Sequence, residues 1–123
     1  MRPAGVVSVV SGCLFCRIVQ RELPATIVAE ERDMVAFRDI HPQAPMHLLI
    51  IPKMHVERLC DLTESTSSLV SHAVLLANRL AREAGVGESG YRIVINCGSD
   101  AGQSVDHVHV HLLGGRAMKW PPG

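Results

Sequence analysis

The run His107-Val108-His109-Val110-His111-Leu112-Leu113 alternates imidazoles with branched aliphatics. A period of two is the period of a β-strand, so His107, His109 and His111 are expected on one face and Val108, Val110 and Leu112 on the other. That requires a sheet with one face sealed by a core and the other lining a cleft. Neighbouring imidazoles would then stand roughly 6.5–7 Å apart. Three rings with ordinary pKa values near ~6.5 add nothing to sheet formation, so chemistry is the better reason for them. A His-x-His pair can chelate one zinc, but the outer members are roughly 13 Å apart at the backbone and fit one ion poorly. One ring is free to serve a metal while the other two react.

The rest of the chain supplies such a sheet. A short helix is predicted over Cys13 to Arg21, ended by Leu23-Pro24, with Leu14, Phe15 and Ile18 as its apolar stripe. Thr26 to Glu30 and Met34 to Phe37 read as short strands, and His47 to Pro52 as a central one, because its aliphatic run is nearly continuous. From Leu62 to Ala84 apolar residues recur at helical spacing and Gly85 supplies the stop. Tyr91 to Asn96 is a further strand. The fold class is therefore α+β: an antiparallel sheet of about five strands with a short N-terminal helix and one long helix. Residues 1–12 read as a flexible extension and residues 13–123 as a single domain. The stretch from Arg2 to Cys13 looks like a miniature lipoprotein signal, but its apolar part is at the short limit for one.

A chain of 123 residues with 47% hydrophobic residues and a formal net charge of zero is neither a disordered tail nor a protein that wraps nucleic acid by charge. No run of 18 apolar residues offers a membrane span. Cys13, Cys16, Cys60 and Cys97 follow no secreted disulfide pattern, which indicates a reducing, cytoplasmic setting. Cys60 and Cys97 read as ordinary semi-buried thiols. Cys13-Leu-Phe-Cys16 is open between a zinc hook, a redox pair and coincidence. His41 and His72 read as loop and helix-surface residues, and His47 either enters a ligand pocket or satisfies a nearby carbonyl.

Before the triad lies Asn96-Cys97-Gly98-Ser99-Asp100-Ala101-Gly102-Gln103-Ser104. Its glycines permit close backbone approach, and Asn96, Gln103 and Ser104 offer neutral donors suited to a phosphate. Asp39, just beyond a strand, can cap a turn or accept ribose hydroxyls.

With these features in place, the chain resembles the histidine-triad family. The motif has its His-φ-His-φ-His-φ-φ form. Phe37-Arg38-Asp39-Ile40, Pro42-Gln43-Ala44-Pro45, Ile51-Pro52-Lys53, Gly102-Gln103-Ser104-Val105, Gly114-Gly115-Arg116 and Trp120-Pro121-Pro122-Gly123 resemble its Hint branch of nucleoside phosphoramidases. The resemblance implies cleavage of the P–N bond of purine nucleoside 5′-phosphoramidates through a nucleotidyl-histidine. By that likeness His109 is the nucleophile; His111, Gln103 and Asn96 hold phosphoryl oxygens; Ser104 lies near the departing amine. Asp39 would bind the ribose, and Phe15, Ile18, Phe37, Arg38 and Ile40 the purine. It also implies a structural Zn2+ on Cys13, Cys16, His55 and His107, no cofactor for the chemistry, and a homodimer that joins two sheets into one of ten strands. A dinucleoside polyphosphate hydrolase or nucleotidyl transferase, and a nucleotide-binding interaction module, are the alternatives. Asp106 departs from the aromatic residue common in relatives.

Overall fold

The computed structural model describes residues 6, 7 and 9–123. Five antiparallel strands run in the spatial order β2-β3-β4-β7-β6: β2 (Ile27–Glu30), β3 (Met34–Arg38), β4 (Met46–Pro52), β6 (Tyr91–Ile95) and β7 (Val110–Gly114). A separate two-stranded ribbon pairs β1 (Val6–Val7) with β5 (His55–Val56). Of the expected extension over residues 1–12, residues 1–5 and 8 lie outside the described residues. Among the described residues no helix is long and apolar enough to cross a membrane.

Register sets which side chains share a face. Leu48 pairs with Leu112 and Ile50 with Val110, and their side chains join Met34, Ala36, Leu76 and Leu80 in one core. That core lies under α2 (Ser68–Glu83), whose Ala73, Ala77 and Ala81 are buried at helical spacing and let the helix sit close to the sheet. Gly85, at φ 80°, ends α2, and the Val86 amide reaches back to the Ala81 carbonyl. The predicted start at Leu62 is six residues early. Thr63 and Ser67 bond to Thr66 and Glu64 within their own turn, which takes backbone partners away from the helix.

The other face carries Val35, Phe37, Leu49 and Ile51, covered by α1 (Leu14–Val19) through Phe15, Cys16 and Ile18. Cys13 caps α1 by accepting from the Cys16 amide. The helix stops where Arg21 turns to φ 63° and Glu22 N–H reaches the Arg17 carbonyl. β4 is thus buried on both faces, as its apolar run requires. His47 and His111 share the α1 face, so the second core ends against imidazoles.

Candidate active site and metal centre

Only His111 of the three histidines lies within β7; His107 and His109 precede it. The three rings stay on the α1 side, with Phe15 against His107 and His109 and His109 against His111, but the expected continuous strand is corrected here by a change of partner. β7 leaves β4 at the pair Ile50–Val110, and the Val108 amide then bonds to the Val56 carbonyl of β5 at 2.6 Å. The chain bends between two sheets, and the three rings take three different tasks.

His107 is fully buried. Its Nε2 donates to the Pro52 carbonyl at 2.8 Å, so in the neutral ring Nδ1 carries the lone pair. That lone pair faces Cys13 Sγ at 3.4 Å, Cys16 Sγ at 3.6 Å and His55 Nδ1 at 3.2 Å; Cys16 Sγ lies 3.3 Å from His55 Nδ1. A tetrahedral zinc with ordinary bond lengths needs about 3.3 Å between nitrogens and about 3.6 Å between sulfur and nitrogen. These separations match the edges of that tetrahedron, so the four donors fit a metal. Burial, then the charges of His55 and His109, push the His107 pKa down to about 4 against the Pro52 bond, and burial pushes the Cys16 thiol up to about 11. The imidazole is therefore ready to ligate, while the thiol gives up a proton when a metal arrives.

His109 is turned the other way. Its Nδ1 donates to the His107 carbonyl at 2.7 Å, which leaves the lone pair on Nε2. The ring is held edge-on by Phe15 at 5.1 Å and by His111 at 5.0 Å between centroids. The residue is only 4% exposed. Among the described residues no buried side-chain nitrogen lacks a partner, and no group bonds to His109 Nε2. The accessible edge of the ring is therefore its lone-pair nitrogen.

His111 completes the arrangement. The Gln43 amide donates to His47 Nδ1 at 3.0 Å, so His47 must carry its proton on Nε2, which lies 2.9 Å from His111 Nδ1 and 3.4 Å from Asp39 Oδ2. His111 accepts on Nδ1 and presents an N–H from Nε2. Asp39, His47 and His111 also converge closely enough for a metal. The Gln43 amide argues against one, because a metal on His47 Nε2 would move the proton onto Nδ1, against another N–H. This cluster is a relay. Burial, with the charges of His109 and His47 and against that of Asp39, lowers the His111 pKa to about 4; burial also lowers that of His47. Both rings are neutral at pH 7.

The expected nucleotide-contacting residues divide into three groups. Phe15, Ile18 and Phe37 are core residues, and Phe15 packs edge-on against His109. Arg38 and Ile40 are exposed, Ile40 at 85%, and with Asp39 they edge an open recess of about 430 Å3. Asp39 Oδ1 accepts from the His41 amide, so it does cap its turn, and its Oδ2 lies 3.4 Å from His47 Nε2. Asn96 follows Ile95, the partner of Val110, which sets it level with His109.

Gln103 spends its amide on backbone: Nε2 donates to the Glu57 and Val105 carbonyls, and Oε1 accepts from Gly98. It fastens the loop in which Gly98 and Gly102 hold φ of 84°. Ser104 and Asp106 are exposed and line a second recess of about 510 Å3 with Glu57 and Leu14. His41 and His72 are exposed as expected, His72 pairing with Asp33. Cys60 is exposed, and only Cys97 is semi-buried. The groups that orient the rings, namely the carbonyls of Pro52 and His107 and the Gln43 amide, are backbone and leave no signal in a sequence.

The HIT domain family model matches residues 20–118. The chain belongs to this family. An uncharacterized HIT-like protein of Synechococcus elongatus is 47% identical over 110 residues, covering 89% of this chain and 96% of that protein. A HIT family hydrolase from Legionella pneumophila has a crystal structure with a TM-score of 0.89 and 53% identity, covering 91% of this chain and all of that one. A HIT family hydrolase from Clostridium thermocellum gives a TM-score of 0.87 at 44% identity, covering 89% and 96% of the two chains. Cys13 and Cys16 lie outside the stretch matched by the HIT model, so the cluster that could hold a metal is built partly from residues beyond it.

Proposed function

We propose that this HIT protein is a hydrolase that cleaves the P–N bond of purine nucleoside 5′-phosphoramidates through a nucleotidyl intermediate on His109. The observation that carries the reading is a pair of rings 5.0 Å apart between centroids, His109 with its lone pair on Nε2 and His111 with its proton on Nε2. A lone pair attacks phosphorus, and the adjacent neutral donor meets the oxygen on which charge grows. His109 Nε2 bonds to phosphorus as the substrate amine leaves with a proton. One P–N bond replaces another, so little energy is lost in the exchange. Water then attacks the adduct, releasing the nucleoside monophosphate and restoring the ring. In this reading Ser104 lies by the departing amine, Asn96 contacts phosphoryl oxygens, and Gln103 holds the loop that carries Ser104. Asp39 and Ile40 border the nucleoside, and Phe15, Ile18 and Phe37 back its base.

The same proposal places zinc on Cys13, Cys16, His55 and His107. It would tie α1 to the ribbon and brace the backbone whose His107 carbonyl orients His109. It supplies no step of the reaction. It also includes a homodimer: β6 is a sheet edge, all five of its residues are half-buried, and three of them are the apolar Ile93, Val94 and Ile95. Sedimentation at twice the chain mass of 13.4 kDa checks that part, and a 13.4 kDa species would remove it. Four free thiols suit a reducing, cytoplasmic compartment.

Parallel rate measurements on adenosine 5′-phosphoramidate and a diadenosine polyphosphate test the activity. Faster turnover of the phosphoramidate is expected. Preference for the polyphosphate would assign the other hydrolase class, and tight AMP binding without turnover of either would make the protein a binding module.

A further inference from the structure

Past the last rung of the β4–β7 ladder, Met46 against Gly114, the chain stays beside the loop that precedes β4. Gly115 turns there at φ 91°, so close to Pro45 that a Cβ on it would lie 3.0 Å from the Pro45 Cβ. Only glycine fits that approach without strain. The exposed Arg116 follows, donating from Nε to the Gln43 carbonyl at 2.9 Å and from Nη1 to the Ala117 carbonyl at 3.1 Å. Arg92 of β6 then holds the Lys119 carbonyl at 3.0 Å. The segment after β7 is thereby fixed to the sheet at one end and to Gln43 and Pro45 at the other. The loop it grips is braced within itself. The Asp39 amide donates to the His47 carbonyl at 3.1 Å, the His41 amide to Asp39 Oδ1 at 2.8 Å, and Gln43 Nε2 to the His41 carbonyl at 3.0 Å. Gln43 thus has two outside attachments: its carbonyl meets Arg116, and its N–H meets His47 Nδ1 at 3.0 Å.

We propose that Arg116 is a positioning residue for the reaction: it holds Gln43 so that His47 keeps its proton on Nε2 and His111 presents its own Nε2–H. The effect on turnover rests on the phosphoramidase reading; the placement of the ring protons does not. When the Gln43 amide withdraws, His47 Nδ1 becomes free to take the proton. Asp39 Oδ2, at 3.4 Å from His47 Nε2, is too far to hold the proton there by itself. His47 Nε2 then carries a lone pair toward His111 Nδ1, 2.9 Å away, and His111 must donate from Nδ1. Its Nε2 is left with a lone pair, which repels the phosphoryl oxygen that the N–H would meet. Arginine suits the position because its planar head fixes the directions of two donors at once, which a lysine ammonium does not.

The test is nitrogen NMR of full-length protein labelled in its imidazoles, at neutral pH, with kinetics and thermal melts beside it. In the wild type, His47 and His111 should each show a protonated Nε2 and an unprotonated Nδ1. In Arg116→Ala both patterns should move toward a mixture of tautomers. Its kcat on adenosine 5′-phosphoramidate should fall about threefold to tenfold, the worth of one hydrogen bond, with KM little changed. Arg116→Lys, which can still donate to one carbonyl, should recover part of both readouts. Gly115→Ala displaces Pro45 at the same clasp and should give the same mixed pattern without touching the guanidinium. Wild-type nitrogen spectra in Arg116→Ala would overturn the proposal, as would a lowered melt and kcat with both tautomers unchanged. The spectra need no substrate, so an inactive wild-type protein would refute the phosphoramidase reading and leave the role of Arg116 decided.

Discussion

Removing the metal from the Cys13/Cys16/His55/His107 centre should soften this protein without unfolding it. The donors are already held at tetrahedral spacing, and without a metal they satisfy one another: Cys13 with His107 and Cys16 with His55. Among the described residues no buried polar side-chain atom is left unpaired, and the larger core under α2 includes none of the four donors. On the proposed reading, zinc would therefore act as a ligand of a folded site, unlike the metal of a zinc finger, which creates its fold. At free zinc a hundred times the Kd, linkage gives about 2.7 kcal/mol. For a chain of this size that is a fall in Tm of about 10 °C on chelation. The assay is a thermal melt with and without chelator, beside metal analysis, with Cys16→Ala as the control that should not respond. Because each ligating thiol sheds a proton, zinc affinity should rise about tenfold per pH unit for each proton released. Collapse of the fold at room temperature on chelation would refute this reasoning, as would an unchanged Tm in protein shown to hold an equivalent of zinc.

Two further outcomes follow from the relay. His47→Ala removes the donor that sets the His111 tautomer, so kcat should fall about tenfold or more with KM little changed. His47→Gln, which can accept and donate at once, should recover part of it, and wild-type kcat in His47→Ala would count against the relay. The His111 ring should titrate near about 4 by imidazole NMR, because burial and neighbouring charge disfavour its protonated form. Since the unfolded ring takes its proton near 6.5 and the native ring only near about 4, this group lowers folding stability as pH falls through that window and has no effect above it.

Much of this architecture was legible because the patterns are local. The aliphatic run of β4, the small-residue stripe of α2 and the alternation through β7 each state their own period and burial. Cys13, Cys16, His55 and His107 converge as the family resemblance implied. Long-range pairing was hidden. His107 and His109 leave the strand because Val108 finds Val56, a partner no periodicity announces. The tautomers of His107, His109 and His47 are set by backbone groups. Gln103 looked like a phosphate donor from its type and position, yet its amide is taken by carbonyls. Side-chain identity proposes such a role, and only competition for its hydrogen bonds decides it.

The central claim is that His109 Nε2 bonds to phosphorus. Mass spectrometry of protein quenched in acid-free denaturant during turnover of adenosine 5′-phosphoramidate tests it directly. The expected result is a nucleotidyl group on His109, absent from His109→Ala. An adduct on any other residue, or full hydrolysis by His109→Ala, would contradict it.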